Sequence, residues 1–301
     1  MENQFIKKVI RKIPELPEYL VSRIISPLWF SLINLFEKND FYLQTFRNSK
    51  IEAFNRLFYY LRKNTFDSTY FMGKHVLKFP TDLWVYQEIL YEKKPDIIVE
   101  TGVFLGGSTY YFSKICELMG HGKVVAIDVT LDHADPDLLD LDNVVLIEGD
   151  TSSSDTLEKV EEYITPNDKV MVILDSDHAP GHVYAEMQLF SKLVTEGQYL
   201  VVEDSIIERV YPFPLNKGPG IAIREFLKDN LDFFPDFYRN RFLLTHNFSG
   251  YLIKCSDQRT REAIKMQTPQ ERLKPFRLWL PGQNFPQDMS WLKSLYQNKK
   301  N

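Results

Sequence analysis

The sequence predicts an α/β fold built on a doubly wound, mostly parallel sheet. Three observations carry this expectation. Five short apolar runs alternate with helical segments between residues 80 and 230. A glycine-rich turn follows the first run and opens a helix, as ligand-binding turns of such sheets do. Two later runs end in carboxylates, Asp175 and Glu203, 28 positions apart. In an open parallel sheet, ligands bind outside the carboxyl ends of the strands.

The elements follow in order. Residues 1 to about 75 are rich in aromatic and basic side chains and read as an N-terminal helical extension. Within it, Ile24–Phe36 is interrupted by Pro27 and is too short to span a membrane. It reads as an amphipathic helix that packs on the core or on a partner subunit. The alternative is peripheral membrane contact, because Lys7, Lys8, Arg11 and Lys12 precede it. Asp82–Tyr91 reads as a helix capped near Thr81 and Asp82 and ending before Pro95. Strands are expected at Ile97–Thr101, Val124–Asp128, Val144–Glu148, Val170–Asp175 and Tyr199–Glu203. Helices are expected at Ser108–Met119, Ser154–Ile164, Val183–Val194 and Ile221–Asn230. Phe237–Thr245 and Gly250–Cys255 flank a short turn and read as an antiparallel C-terminal hairpin. The tail carries Trp279, Pro281, Phe285, Pro286 and Trp291 and reads as a lid or a subunit arm. The organisation is therefore an extension at 1–75, a ligand-binding core at 76–257 and a tail at 258–301. Extension and tail lack a core of their own, so a homo-oligomer is expected.

Composition excludes several classes. The chain is 44% hydrophobic and 14% aromatic, which argues for a packed core and against disorder. The net charge of −5, from 36 basic and 41 acidic residues, leaves no basic excess for nucleic acid. The two cysteines, Cys116 and Cys255, have no C-x-x-C spacing. That excludes a disulfide scaffold and a cysteine zinc site, and it fits a reducing compartment. A cytoplasmic location is expected.

The glycine turn runs Glu100-Thr101-Gly102, Phe104, Gly106-Gly107-Ser108. Its spacing is G-x-x-x-G-G, an imperfect dinucleotide fingerprint, and the absence of Gly-Lys-Ser/Thr excludes a P-loop. Glu100 is ill-suited beside a pyrophosphate and better suited to a cationic or hydroxyl-bearing ligand. The second strand ends at Asp128, where a carboxylate can accept from both ribose hydroxyls. This position alone does not separate NAD from S-adenosylmethionine. After the third strand, Asp150 lies where an adenine would be recognised.

The acidic clusters Asp175-Ser176-Asp177-His178 and Glu203-Asp204 would repel one another unless a cation joined them. Oxygen ligands without cysteine favour a hard ion such as Mg²⁺. Asp177 is a rival ligand in this group. His182 reads as the first turn of the next helix and is a rival base to His178. His75 and His246 are unplaced and could reach a substrate, and His121 and His133 read as surface loop residues.

Lys78 to Glu88, Pro95 to Gly102, Leu174 to His178 and Val201 to Asp204 together resemble the cephalosporin hydroxylase family. Its members look like S-adenosyl-L-methionine-dependent methyltransferases. The chain is also similar to the metal-dependent sugar O-methyltransferases of macrolide biosynthesis and, more distantly, to catechol O-methyltransferase. The resemblance covers about residues 75–255. It implies a class I methyltransferase-like Rossmann fold with S-adenosyl-L-methionine and Mg²⁺ as cofactors. It assigns Asp175, Glu203 and Asp204 to the metal, Asp128 to the ribose and His178 to the general base. The cofactor would lie across Glu100, Thr101, Gly102, Phe104 and Ser108, with Asp150 and Asp175 beside it. Catechol-type enzymes have lysine in place of His178 and Asp-Asn in place of Glu203-Asp204, so the chain matches the sugar type.

The expectation is a Mg²⁺-dependent O-methyltransferase acting on a sugar hydroxyl of a glycolipid, polysaccharide or glycosylated metabolite. The alternatives are a methyltransferase for a non-sugar natural product, an NAD-dependent oxidoreductase or epimerase, and a nucleoside-binding subunit without catalysis. The oxidoreductases usually want G-x-G-x-x-G and a Tyr-x-x-x-Lys pair, which the core does not offer after its fourth strand. Intact Asp175, His178, Glu203 and Asp204 argue against the inert subunit.

Overall fold

The computed structural model describes residues 51–207 and 218–256, except 52 and 59. A two-strand ribbon comes first, β1 (Tyr70–Phe71) and β2 (Lys74–His75). Then follow α1 (Pro80–Lys93), β3 (Ile97–Thr101), α2 (Gly107–Met119), β4 (Lys123–Asp128) and β5 (Val144–Glu148). The second half holds α3 (Ser154–Glu161), β6 (Val170–Leu174), α4 (Pro180–Phe190), β7 (Tyr199–Val202), α5 (Pro219–Asp229), β8 (Phe233–Pro235) and β9 (Tyr251–Lys254). The main sheet has the order β5-β4-β3-β6-β7-β9-β8. Strands β3 to β7 pair in parallel, and β9 inserts antiparallel between β7 and β8.

Alternation along the strands builds the two faces. Ile97, Val99, Val125, Val172 and Leu200 pack with α3, α4 and α5. Ile98, Val124, Ala126, Ile173 and Val201 pack with α1 and α2. Every side chain of β3 and β6 is buried, which is why these strands read as continuous apolar runs. The doubly wound expectation is borne out.

Two details differ from the expected elements. The antiparallel pair is present, but its first strand is Phe233–Pro235, while Phe237–Asn240 is a 3₁₀ turn opened by the Asp236 side chain bonding Tyr238 N. Helix α1 begins at Pro80, where the missing N–H costs nothing, and Asp82 does not cap it. The carboxylate of Asp82 is instead buried and accepts from Thr245 Oγ1 at 2.5 Å, His246 N at 2.9 Å and Tyr251 OH at 2.9 Å. A compact unit begins at Ile51. Within it, Lys74 bridges Asp135 at 2.8 Å and Asp137 at 2.5 Å, fastening the ribbon to the loop after β4. The expected Ile24–Phe36 helix and the expected 258–301 tail lie outside the described residues. Among the described residues no helix is long and apolar enough to cross a membrane.

Candidate active site

A cavity of about 870 Å³ opens at the carboxyl ends of β3, β4, β6 and β7. Its wall includes Gly102, Phe104, Ser108, Asp128, Asp150, Asp175, His178 and Asp204. One end is the glycine turn. Gly102 has φ +86°, and a Cβ there would lie 1.9 Å from the carbonyl oxygen of Asp175. Only glycine lets β3 end so tightly against β6. Gly107 is equally confined, since a Cβ would lie 1.8 Å from the carbonyl oxygen of His75. The N-terminus of α2 therefore opens toward the cavity from beneath two close backbone crossings. Asp128 Oδ2 accepts from Phe104 N at 2.8 Å, so the carboxylate and the turn are fixed to each other. Asp150 Oδ1 accepts from Ser152 N at 2.8 Å and Ser152 Oγ at 2.7 Å.

Glu100 and Thr101 do not reach the cavity wall, although the sequence suggested them. Both lie on the central strand and are fully buried. Glu100 accepts from Thr109 Oγ1 at 2.7 Å, and burial raises its carboxyl above the ordinary range against the pull of Lys78. Thr101 Oγ1 accepts from Asp175 N at 3.3 Å. Their service is to the turn above them.

The other end is acidic. Asp175, His178 and Asp204 offer ligand atoms that all lie within 4.8 Å of one another. His178 Nε2 lies 3.5 Å from Asp175 Oδ1 and 3.4 Å from Asp204 Oδ2. Burial disfavours a charged imidazole there, but the bond to Asp175 and the charges of Asp204, Asp175 and Glu203 outweigh it and lift His178 to about 9. Asp204 sits in the left-handed region at φ 52°, and its N–H donates to Asn247 Oδ1 at 3.2 Å. Burial opposes its charge, but His246 and His178 hold its carboxyl below the usual range. Two carboxylates at this spacing fit a small divalent cation, with the imidazole beside them.

Glu203 is not in that group. It is buried, accepts from Tyr86 OH at 2.6 Å and lies 2.8 Å from Lys78 Nζ. Burial and the charge of Asp175 push its carboxyl upward, and Lys78 opposes them. Lys78 Nζ also donates to Asp175 Oδ2. Asp177 is exposed and its Oδ1 accepts from Ala179 N at 3.0 Å, so it closes the turn before α4.

The remaining histidines separate cleanly. His246 Nδ1 lies 3.3 Å from Asp204 Oδ1, and the ring packs against Phe66 and Phe79 with centroids at 4.7 and 5.0 Å. His182 reaches Thr151 Oγ1 at 3.0 Å, and His75 reaches the Phe66 carbonyl at 3.1 Å. All three line the cavity, whereas His121 and His133 are exposed. Sequence reasoning gave no role to Lys78, Tyr86 or Asn247, and left His246 unplaced. For Lys78 and Tyr86 the one available signal was their place in the run that carries the resemblance.

A family model described as Rhamnosyl O-methyltransferase/CmcI matches residues 63–255. The chain is 36% identical over 197 residues to a rhamnosyl O-methyltransferase of Mycobacterium tuberculosis, covering 62% of this chain and 78% of that protein. It is 33% identical over 208 residues to the rhamnosyl O-methyltransferase of Mycobacterium leprae, covering 65% of this chain and 87% of that protein. Among solved structures, "CmcI-N160 apo-structure" superposes with a TM-score of 0.51 at 27% identity, covering 63% of this chain and 77% of that one.

Proposed function

The chain belongs to the rhamnosyl O-methyltransferase/CmcI family, and from that premise we propose that it methylates a sugar hydroxyl, using S-adenosylmethionine and Mg²⁺. One observation carries the reading. A single cavity runs from the glycine turn and Asp128 to the group of Asp175, His178 and Asp204. A nucleoside end and an acidic end in one chamber suit transfer between a cofactor and a chelated acceptor.

The cofactor's ribose would meet Asp128, and its adenine would lie by Asp150. Ser108 and the α2 N-terminus would face the rest of the cofactor. Asp175 and Asp204 would hold the cation, with Glu203 behind them as the third carboxylate. When bound, the cation supplies Lewis-acid polarisation and the cofactor supplies an activated methyl group. His178 is the proposed base, in the neutral form its imidazole would take once a cation, rather than its own charge, balances Asp175 and Asp204. It reaches both carboxylates and lies on the cavity wall, so a hydroxyl oriented by the acidic group would meet its Nε2. His246, on the opposite side of Asp204, is the rival. The relatives named for rhamnosyl transfer make a rhamnoside the first acceptor to try, within the wider class of glycolipid, polysaccharide and glycosylated metabolite. Family membership favours this reading over an NAD-dependent oxidoreductase or epimerase.

The test combines calorimetry and turnover. S-adenosylhomocysteine should bind and NAD should not. Methylation of a rhamnoside should stop with a chelator and resume with Mg²⁺. His178→Ala should slow turnover by about 10²–10⁴-fold and leave S-adenosylhomocysteine binding intact. Binding of NAD alone, or full activity after exhaustive chelation, would sink the proposal.

A further inference from the structure

The acidic end of the cavity contains its own cation. Lys78 lies between β2 and α1, and its side chain is 3% exposed. Its ammonium donates to Asp175 at the end of β6 and lies 2.8 Å from Glu203 at the end of β7. Tyr86, nearly two helical turns into α1, donates to the same Glu203 oxygen at 2.6 Å. Lys78 and Tyr86 thus clamp Glu203 from the α1 side of the sheet. The local arithmetic explains why. Asp175, Glu203 and Asp204 share a small, partly buried volume, and Glu203 is only 4% exposed, so solvent does little to disperse its charge. Uncompensated carboxylates at this spacing raise one another's cost steeply. A buried ammonium bonded to two of them removes most of that cost. It also leaves less net negative charge for any second cation.

We propose that Lys78 is a positioning residue. Its ammonium ties Glu203 to Asp175, preassembling the acidic end of the cavity without a metal, and its charge weakens the binding of a divalent cation there. The inference rests on the metal reading of this site and deepens it. In this arrangement the outer carboxylates Asp175 and Asp204 meet the incoming ion, and the inner pair Lys78–Glu203 sets how tightly the ion is held. The resident charge keeps the site ordered between loadings and keeps a divalent ion exchangeable.

The experiment measures thermal unfolding in chelator and Mn²⁺ binding, counted by its electron paramagnetic resonance signal. Three variants are compared with wild type: Lys78→Met, Lys78→Arg and the double variant Lys78→Met with Glu203→Gln. In chelator, Lys78→Met should melt lower by roughly 5 °C or more. Mn²⁺ should restore most of that loss and bind about tenfold more tightly than to wild type. Lys78→Arg keeps the charge and should keep both wild-type values. The double variant removes the carboxylate charge that Lys78 neutralises and should recover stability in chelator. A Lys78→Met protein that melts like wild type in chelator, or binds Mn²⁺ no more tightly, overturns the proposal. If Lys78→Met does not fold, recovery of a folded double variant supports the proposal and failure to recover it overturns it. Absence of Mn²⁺ binding to wild type would instead overturn the metal reading, and the melting comparison in chelator would still decide whether Lys78 holds the two carboxylates.

Discussion

Single residues divide the labour sharply. Asp128 is the clearest case on the cofactor side, because its carboxylate closes the glycine turn through Phe104 N and still lines the cavity. Asp128→Ala should lower affinity for S-adenosylhomocysteine by tens-fold, as the loss of a charged hydrogen bond of about 1.5–3 kcal/mol requires. An unchanged calorimetric titration would refute its role. Cys116 is a residue with a different kind of consequence. It is 1% exposed, and burial pushes its thiol from 9.0 to about 11. The unfolded chain therefore releases this proton earlier than the folded one. Stability from this source is complete below 9 and is lost as pH rises toward 11. At full extent that is about 3 kcal/mol. Urea unfolding of wild type and Cys116→Ala across this range should show wild type losing ground; a constant difference would count against it.

At the scale of elements, the decisive feature is how α1 holds the segment before β9. Asp82 receives three bonds from Thr245, His246 and Tyr251, and Thr81 donates to the Leu244 carbonyl. Asn247, carried by the same segment, accepts from the backbone of Asp204. Helix α1 thus fixes the acidic end of the cavity through a loop rather than by touching Asp204. Asp82→Ala would leave a hydroxyl pair and an amide unpaired in the interior and should cost about 3–5 kcal/mol. A loss of unfolding free energy below about 1 kcal/mol, close to the effect of a routine surface change, would contradict this account. The same region shows what a sequence can and cannot disclose. Strands β3, β6 and β7 were legible because strands buried on both faces are unbroken apolar runs. Strand β8 was not, being three residues long, at a sheet edge and ending in Pro235. The aromatic and basic run from Phe237 imitated a strand, while its start is a turn closed by Asp236.

For the whole molecule, the legible and illegible parts follow separation along the chain. Asp175, His178, Glu203 and Asp204 stand at strand ends, so local pattern finds them. Lys78 meets Asp175 across 97 positions, Tyr86 meets Glu203 across 117, and Asn247 meets Tyr86 across 161. No local pattern encodes such pairings. The molecule also carries exposed Phe54, Leu57, Tyr60 and Leu61 close together in sequence. We propose that this apolar surface is a contact face between copies of the chain. Light scattering is expected to give a mass above the 35.5 kDa of one chain, and a monomer at high concentration would count against assembly.

The pressing of Gly102 onto the Asp175 carbonyl reaches further than local fit. The turn that would receive the cofactor and the residue that would receive the metal share one rigid contact, with Thr101 bonded to the same Asp175 backbone. We expect two ligands bound through this common support to be thermodynamically linked. If S-adenosylhomocysteine changes the affinity for Mn²⁺ by some factor, Mn²⁺ must change the affinity for S-adenosylhomocysteine by that same factor. Titrating each in the presence and absence of the other measures the factor twice. A value above unity means that the enzyme fills in concert, with the first arrival preparing the floor on which the second will stand; a value of one would mean that the two halves of the chamber, though they touch, do not communicate.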